Sequence, residues 1–278
     1  MWNYKAGPST YGDRMAQYGT FGDVAVDLDD DHVATVEIRR PPHNFFDLKL
    51  IDSLCEALEA LDADGDCRAA VLCSEGKNFC AGANFGGDSN ETATRDAGRP
   101  TRHLYDEAAR LFSTKIPVVA AVQGAAVGGG LGLACFPDFR VAATEARFSA
   151  NFARLGFHHG FGLTVTLPAL VGQQRALELL YTGARIDGAR AAEIGLADRL
   201  VPLEEVRSAA HALAAEIAGS APLAVASIRQ TFRDDLPHRI RMATDREKAE
   251  QDRLRSTEDF REGIKAMADR RTPNFVGR

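Results

Sequence analysis

Residues 116–135 read IPVVAAVQGAAVGGGLGLAC, and the fold turns on this stretch. Pro117 precedes Val118-Val119-Ala120-Ala121-Val122, a short apolar run, partly β-branched, that stops at Gln123-Gly124. That length and that stop predict a buried strand. Gly128-Gly129-Gly130 then leads into Leu131, Gly132, Leu133 and Ala134. Three successive glycines inside a helix would each cost about 1 kcal/mol relative to alanine. At the first turn of a helix they have a use. The leading N–H groups lack intrahelical partners, and without side chains they can be approached closely. Such a start offers donors and an aligned dipole to a negative oxygen. The same pattern also serves as a tight strand-to-helix turn packed on a neighbouring backbone.

A second turn of small residues lies upstream, Asn78-Phe79-Cys80-Ala81-Gly82-Ala83-Asn84-Phe85. Together NFCAGAN and AVGGGLGLA resemble the crotonase superfamily, also called the enoyl-CoA hydratase/isomerase family. The likeness continues through RPPHNFFD (Arg40 to Asp47), YTGARIDGARAAEIGLADRLVP (Tyr181 to Pro202) and STEDFREGIKAMADRRTPNF (Ser256 to Phe275). It runs from about Phe21 to the C-terminus. The resemblance implies an α/β fold: a crotonase-like spiral of repeated ββα units with a C-terminal helical region. It also implies an oxyanion hole, two backbone N–H groups that hold an acyl-CoA thioester carbonyl. The matching residues are Ala83 and Gly129. Around them Ala81, Asn84, Phe85, Gly128 and Phe152 would line the ligand site. Asn84 stands where the family has an aspartate.

The chain has 278 residues and a formal charge of −6, which argues against a basic nucleic-acid-binding face but leaves room for a local patch that binds coenzyme A. Five cysteines, with no C-x-x-C spacing, read as reduced thiols of a cytoplasmic protein. The N-terminal stretch lacks the apolar core of a signal peptide, and no apolar run reaches a membrane span. Residues 1–20 form an arm, 21–200 the core with the acyl-CoA site, and 201–278 a helical region for lid and subunit contacts.

Alternation in Val24–Asp27 and His32–Ile38 predicts a hairpin around the solvated acidic turn Asp29-Asp30-Asp31. Asp47 caps a helix to about Leu61, with Leu50, Leu54, Leu58 and Leu61 on one face. Ala69–Cys73 is a buried strand, Phe85–Arg99 a mobile loop, and Thr101–Ser113 a helix. Phe139–Ala143 and Arg147–Ser149 read as short strands. From Gly172 onward the pattern is helical with short breaks.

Family hydratases carry two glutamates that position water and move a proton. Their positions match Gly132 and Phe152 here, and neither residue can accept a proton. His158 and His159 follow in a loop that reaches the thioester in related dehalogenases, and histidine suits proton transfer near neutral pH. The same histidines could cap the next helix or bond backbone. Tyr105 lies on the helix that lines the acyl pocket in relatives and is a candidate hydrogen-bond donor. Phe152 and Phe157 favour an acyl group with an aromatic or greasy part. Arg40, with Arg39, Arg270 and Arg271, is a candidate contact for the coenzyme's phosphates.

These residues point to an acyl-CoA lyase, isomerase or hydrolase of the fatty-acid-metabolism type. It would stabilise a thioester enolate with backbone amides and need no cofactor beyond the coenzyme A thioester itself. Two alternatives stand beside it: a non-catalytic acyl-CoA-binding protein, and an ordinary enoyl-CoA hydratase/isomerase with displaced acid/base residues. The resemblance further implies a homotrimer or hexamer, while charge, the lack of an apolar span and the cysteine spacing argue against nucleic acid, membrane and metal partners.

Overall fold

The computed structural model of the protein describes residues 16–84, 93–94 and 102–278. Three antiparallel strands open it: β1 (Ala16–Phe21), β2 (Val24–Leu28) and β3 (Val33–Ile38). The expected arm therefore ends inside the sheet, because residues 16–20 belong to β1, while residues 1–15 lie outside the described residues. At the acidic turn Asp29 Oδ1 accepts from the amides of Asp31 (3.0 Å) and Val33 (3.1 Å). Its other oxygen meets Nε2 of His211 at 2.5 Å.

Helix α1 (Leu48–Ala63) starts at Asp47, whose carboxylate accepts from Leu50 N at 2.8 Å. Leu50, Leu54, Leu58 and Leu61 are all buried, as their spacing predicts. Strand β4 (Ala69–Ser74) follows, then the short antiparallel pair β5 (Ala93–Thr94) and β6 (Arg102–His103). The expected mobile loop, apart from residues 93–94, falls outside the described residues. Helix α2 (Leu104–Leu111) begins three residues later than expected because His103 caps it. The His103 ring Nδ1 accepts from Tyr105 N (3.2 Å), and Asp106 accepts from His103 N (3.2 Å).

Strand β7 (Val118–Val122) is buried at all five residues, and β8 (Ala125–Val127) and α3 (Gly129–Cys135) follow it. Next come β9 (Phe139–Ala143), β10 (Arg147–Ser149), α4 (Leu163–Val171) and α5 (Gln173–Thr182). The expectation of a helical pattern with short breaks from Gly172 onward is corrected here by two strands. Strands β11 (Arg185–Asp187) and β12 (Arg199–Val201) flank α6 (Gly188–Glu193). Each has three residues, too few for periodicity to register. They are strands because β10 and β9 supply their hydrogen bonds. Four helices close the chain: α7 (Val206–Ala218), α8 (Pro222–Arg233), α9 (Leu236–Leu254) and α10 (Glu258–Ala268).

The main sheet runs β1-β2-β3-β4-β7-β9-β12, parallel from β3 onward, with a smaller sheet β11-β10-β8 beside it. Helix α7 lies across β4, β7 and β9. This covering explains why β4 and β7 are apolar without alternation. Arg140, 1 % exposed, is matched by Asp198 (2.9 Å) and the carbonyls of Leu196 and Pro137, which ties β9 to the β12 side.

Candidate functional site

The loops after β3, β4 and β7 leave the same edge of the parallel sheet, the edge where α/β proteins hold ligands. Side chains and backbone lace them together. Asn44 is fully buried, donating from Nδ2 to the carbonyls of Glu75 (2.9 Å) and Asn78 (2.7 Å) while its Oδ1 accepts from Arg40 N (3.0 Å). Ala81 N donates to His43 O (3.0 Å) and Phe46 N to Gly82 O (3.0 Å). Cys80 N donates to Ala125 O (2.8 Å), and Val127 N returns a bond to Cys80 O (3.0 Å).

The two small-residue turns therefore touch backbone to backbone. A Cβ on Gly130 would lie 2.1 Å from Cys80 O, and one on Gly82 would lie 2.7 Å from Val127 O. Gly82 and Gly128 also hold φ of 86° and 57°, the left-handed region that favours glycine. Phe46 lies over Gly129, whose Cβ would fall 2.8 Å from the ring. Ala83 and Gly129 line one cavity, together with Ala81 and Gly128. Among the described residues neither the Ala83 nor the Gly129 amide has an acceptor. Two unspent N–H donors on interlocked turns are what a developing oxyanion requires.

Gly132 and Phe152 sit in aromatic surroundings. A Cβ on Gly132 would lie 2.9 Å from the Cβ of Phe161, so the aromatic residue occupies the space of a glutamate stem. Phe161 holds φ 60°, a strained conformation for a bulky residue, and packs edge-on to Phe46 with centroids 4.8 Å apart. Phe152 is buried on the cavity wall beside Phe157, ring centroids 5.7 Å apart. The wall there is aromatic.

Tyr105 lines the cavity as expected and is buried. Its hydroxyl lies beside Gln251 and would be only 1.9 Å from a Cβ on Gly160, so glycine there makes the approach possible. Burial above all, then the charge of Glu247, pushes its phenol well above the usual tyrosine range. The hydroxyl stays protonated and can only donate to, or accept from, a neutral or anionic ligand as a phenol.

His158 and His159 do not line the cavity, contrary to the expectation that one would serve the site. His158 Nδ1 bonds the carbonyl of His159 (2.8 Å), and His159 Nε2 bonds Thr164 Oγ1 (2.8 Å). Burial, then the neighbouring His158, lowers the pKa of His159 to about 4. The ring is therefore neutral, and its 3.8 Å approach to Glu247 is a polar contact without an ion pair. Glu247 is fully buried, and its carboxylate accepts from Gly162 N (2.9 Å), Thr164 N (3.1 Å) and Thr164 Oγ1 (2.6 Å). The histidine loop is thus committed to starting α4.

Arg40 is also corrected as a phosphate contact. Its guanidinium is spent on Asp23 (2.6 Å), Asp47 (2.8 Å) and Phe45 O (3.1 Å). Arg39 pairs with Glu37 and Arg271 with Glu262. Asn84 borders a small cleft with Arg40 and Asp47, and Phe85 lies outside the described residues.

Helix α9 supplies groups the sequence did not single out: Lys248, Gln251 and Asp252 line the cavity, as does Arg255 at its C-cap. His103 lines it too, its pKa lowered by burial and then by the Lys248 ammonium. In sequence these residues look like an ordinary solvated helix face. The one available signal was their spacing of three, four and seven residues, which places them on one side.

Residues 29–278 match the profile of the enoyl-CoA hydratase/isomerase family. A probable enoyl-CoA hydratase of Bacillus subtilis is 31 % identical over 249 residues, covering 89 % of this chain and 96 % of the relative. The 1,2-epoxyphenylacetyl-CoA isomerase of Escherichia coli is 30 % identical, covering 88 % and 95 %, and the (E)-benzylidenesuccinyl-CoA hydratase of Thauera aromatica is 34 % identical, covering 88 % and 96 %. Among solved structures, an enoyl-CoA hydratase/isomerase from Pseudoalteromonas atlantica superposes with a TM-score of 0.81 at 26 % identity, over 91 % of this chain and all of the other. Profile, relatives and fold agree over nearly the whole length, and the chain belongs to the enoyl-CoA hydratase/isomerase family.

Proposed function

We propose that the protein is an acyl-CoA-processing enzyme that holds the thioester carbonyl oxygen between the amides of Ala83 and Gly129. When a proton or carboxyl group leaves the carbon next to the carbonyl, charge gathers on that oxygen. Fixed donors stabilise it without reorganising, and losing one typically costs about 3 kcal/mol of barrier. The observation that carries this reading is that both amides are unspent on turns locked together through Gly82 and Gly130. Acid/base work by two glutamates has no carriers at Gly132 and Phe152. Tyr105, kept neutral, supplies a hydrogen-bond donor on the wall instead. Enolate-forming lyase or isomerase chemistry suits this inventory better than hydration. Relatives named for 1,2-epoxyphenylacetyl-CoA and (E)-benzylidenesuccinyl-CoA suit the Phe152–Phe157–Phe161 wall and favour an aryl-bearing acyl group.

The test compares an aryl-acyl-CoA thioester with its thioether, which keeps every group except the carbonyl oxygen. The thioester should bind roughly tenfold tighter or better, the worth of hydrogen bonds to that oxygen. Equal binding would show that no oxyanion hole is engaged. Hydration of crotonyl-CoA at an ordinary enzymatic rate would show that another acid/base pair performs the two-glutamate reaction.

Copies of the chain associate, on this reading, through α8. That helix is anchored by Arg229 and Arg233 to Asp138, yet leaves Leu223, Ile228 and Phe232 60–87 % exposed. Sedimentation equilibrium should find a trimer or hexamer, and a monomer at micromolar concentration would refute it.

A further inference from the structure

Lys248, Asp252 and Arg255 stand on one side of α9 and its C-cap, facing the cavity that holds Ala83 and Gly129. Gln251 between them is already spent, donating to His158 O (2.8 Å). The two cations are different. Among the described residues neither Lys248 nor Arg255 has an ion pair or a side-chain hydrogen bond, although Arg40, Arg110, Arg140 and Arg229 all do. The Nε of Arg255 is buried and has no acceptor. A buried donor left unsatisfied is costly, and natural proteins rarely keep one without a use for it. Asp252 stands between the two cations in sequence but comes within ion-pair distance of neither.

The charge balance points the same way. On the α9 wall Lys248 and Arg255 outnumber Asp252 by one charge, and Asp47 elsewhere on the lining is ion-paired to Arg40, which it shares with Asp23. His103 adds a donor. Its Nδ1 accepts from Tyr105 N, so the neutral ring carries its proton on Nε2. Unspent donors on Lys248, Arg255 and His103, beside the aromatic wall, fit a small oxyanion. Carboxylate matches guanidinium and ammonium groups by charge and by lone-pair geometry.

We propose that Lys248, Arg255 and the Nε2–H of His103 receive a carboxylate carried on the acyl group, so that the substrate class is the mono-thioester of a dicarboxylic acid. This rests on the reading of the cavity as the acyl-CoA site. The coenzyme's phosphates share the same oxyanion chemistry, so the test removes them. Binding of glutaryl-pantetheine and pentanoyl-pantetheine, which differ in a terminal carboxylate against a methyl, is measured by calorimetry, with the corresponding CoA thioesters in parallel. The full chain is used as wild type, Lys248→Met and Arg255→Gln, each checked for native circular dichroism.

Glutaryl esters should bind the wild type roughly 10- to 100-fold tighter than pentanoyl esters in both series. Each substitution should remove most of that preference and leave pentanoyl binding unchanged. Equal binding of the two acyl groups to the wild type overturns the proposal. So does a loss in Arg255→Gln shared by all CoA thioesters and absent from the pantetheine pair, because the cations would then serve phosphate. If pantetheine esters do not bind, the preference within the CoA pair decides in the same way. The acyl-CoA reading itself fails separately, when thioester and thioether of one acyl group bind alike.

Discussion

The two sides of the cavity are built on different principles. One side is backbone: the turns at Ala83 and Gly129, held at contact distance through Gly82 and Gly130 and laced by Asn44. The other is side chain: Tyr105 and His103 at the start of α2, and Lys248, Gln251 and Arg255 along α9. A backbone device must be rigid and tolerates almost no substitution, because its neighbours are carbonyl groups that cannot swing away. A side-chain wall can change partners one residue at a time. On the proposed reading, carbonyl binding falls to the first side and recognition of the acyl group to the second.

Substitution at Gly130 should break the backbone side most severely. Gly130→Ala places a Cβ 2.1 Å from Cys80 O, so the turns must separate. Overpacking of this kind costs about 1–3 kcal/mol, read as a lower melting temperature. Displacing a donor should cut turnover by roughly 10²–10³-fold. A variant as stable and active as wild type would show that the clamp gives way freely. On the side-chain wall the effects should be smaller. Tyr105→Phe removes a hydroxyl from the cavity lining and should lower kcat by roughly tenfold. An unchanged kcat with a lower melting temperature would make Tyr105 structural.

Behind that wall, His159 should register in stability more than in activity. Its pKa falls from 6.5 to about 4 on folding, so between those values the unfolded chain takes up a proton that the folded chain refuses. The stabilisation is complete above about pH 6.5 and is lost as pH falls toward 4. His159→Gln should flatten that acid limb in denaturant melts across pH, and an identical slope would contradict the buried neutral ring. The smallest effect is expected at His158, which bonds its neighbour's carbonyl away from the cavity. His158→Ala should keep kcat/KM within about threefold, the range of substitutions away from key contacts. A loss of two orders of magnitude would return the histidine loop to the chemistry.

What the sequence disclosed follows the same division. Gly128-Gly129-Gly130 and Ala81-Gly82-Ala83 are visible because backbone function demands small residues side by side in the chain. The hairpin, the Asp47-capped helix and β7 were likewise local, set by alternation, a cap and an apolar run. The α9 wall was not, because Lys248 and Arg255 look like any solvated pair until a tertiary contact brings α9 onto α2. Strands β11 and β12 were hidden for the same reason, since their partners lie 36 and 58 positions away in the register Arg185↔Ser149, Arg199↔Val141. His158-His159 misled in the opposite direction. Two adjacent imidazoles a few residues after Phe152 suggest chemistry, but the loop spends them on a carbonyl and on Thr164.

The most direct measurement is isotope-edited infrared spectroscopy of an acyl-CoA labelled with ¹³C at the thioester carbonyl. Bound to the wild-type protein, the carbonyl stretch should move to lower frequency than in water, as two amide donors draw charge onto the oxygen. A band that stays at its solution position, with the ligand fully bound, would mean that Ala83 and Gly129 do not hold that oxygen.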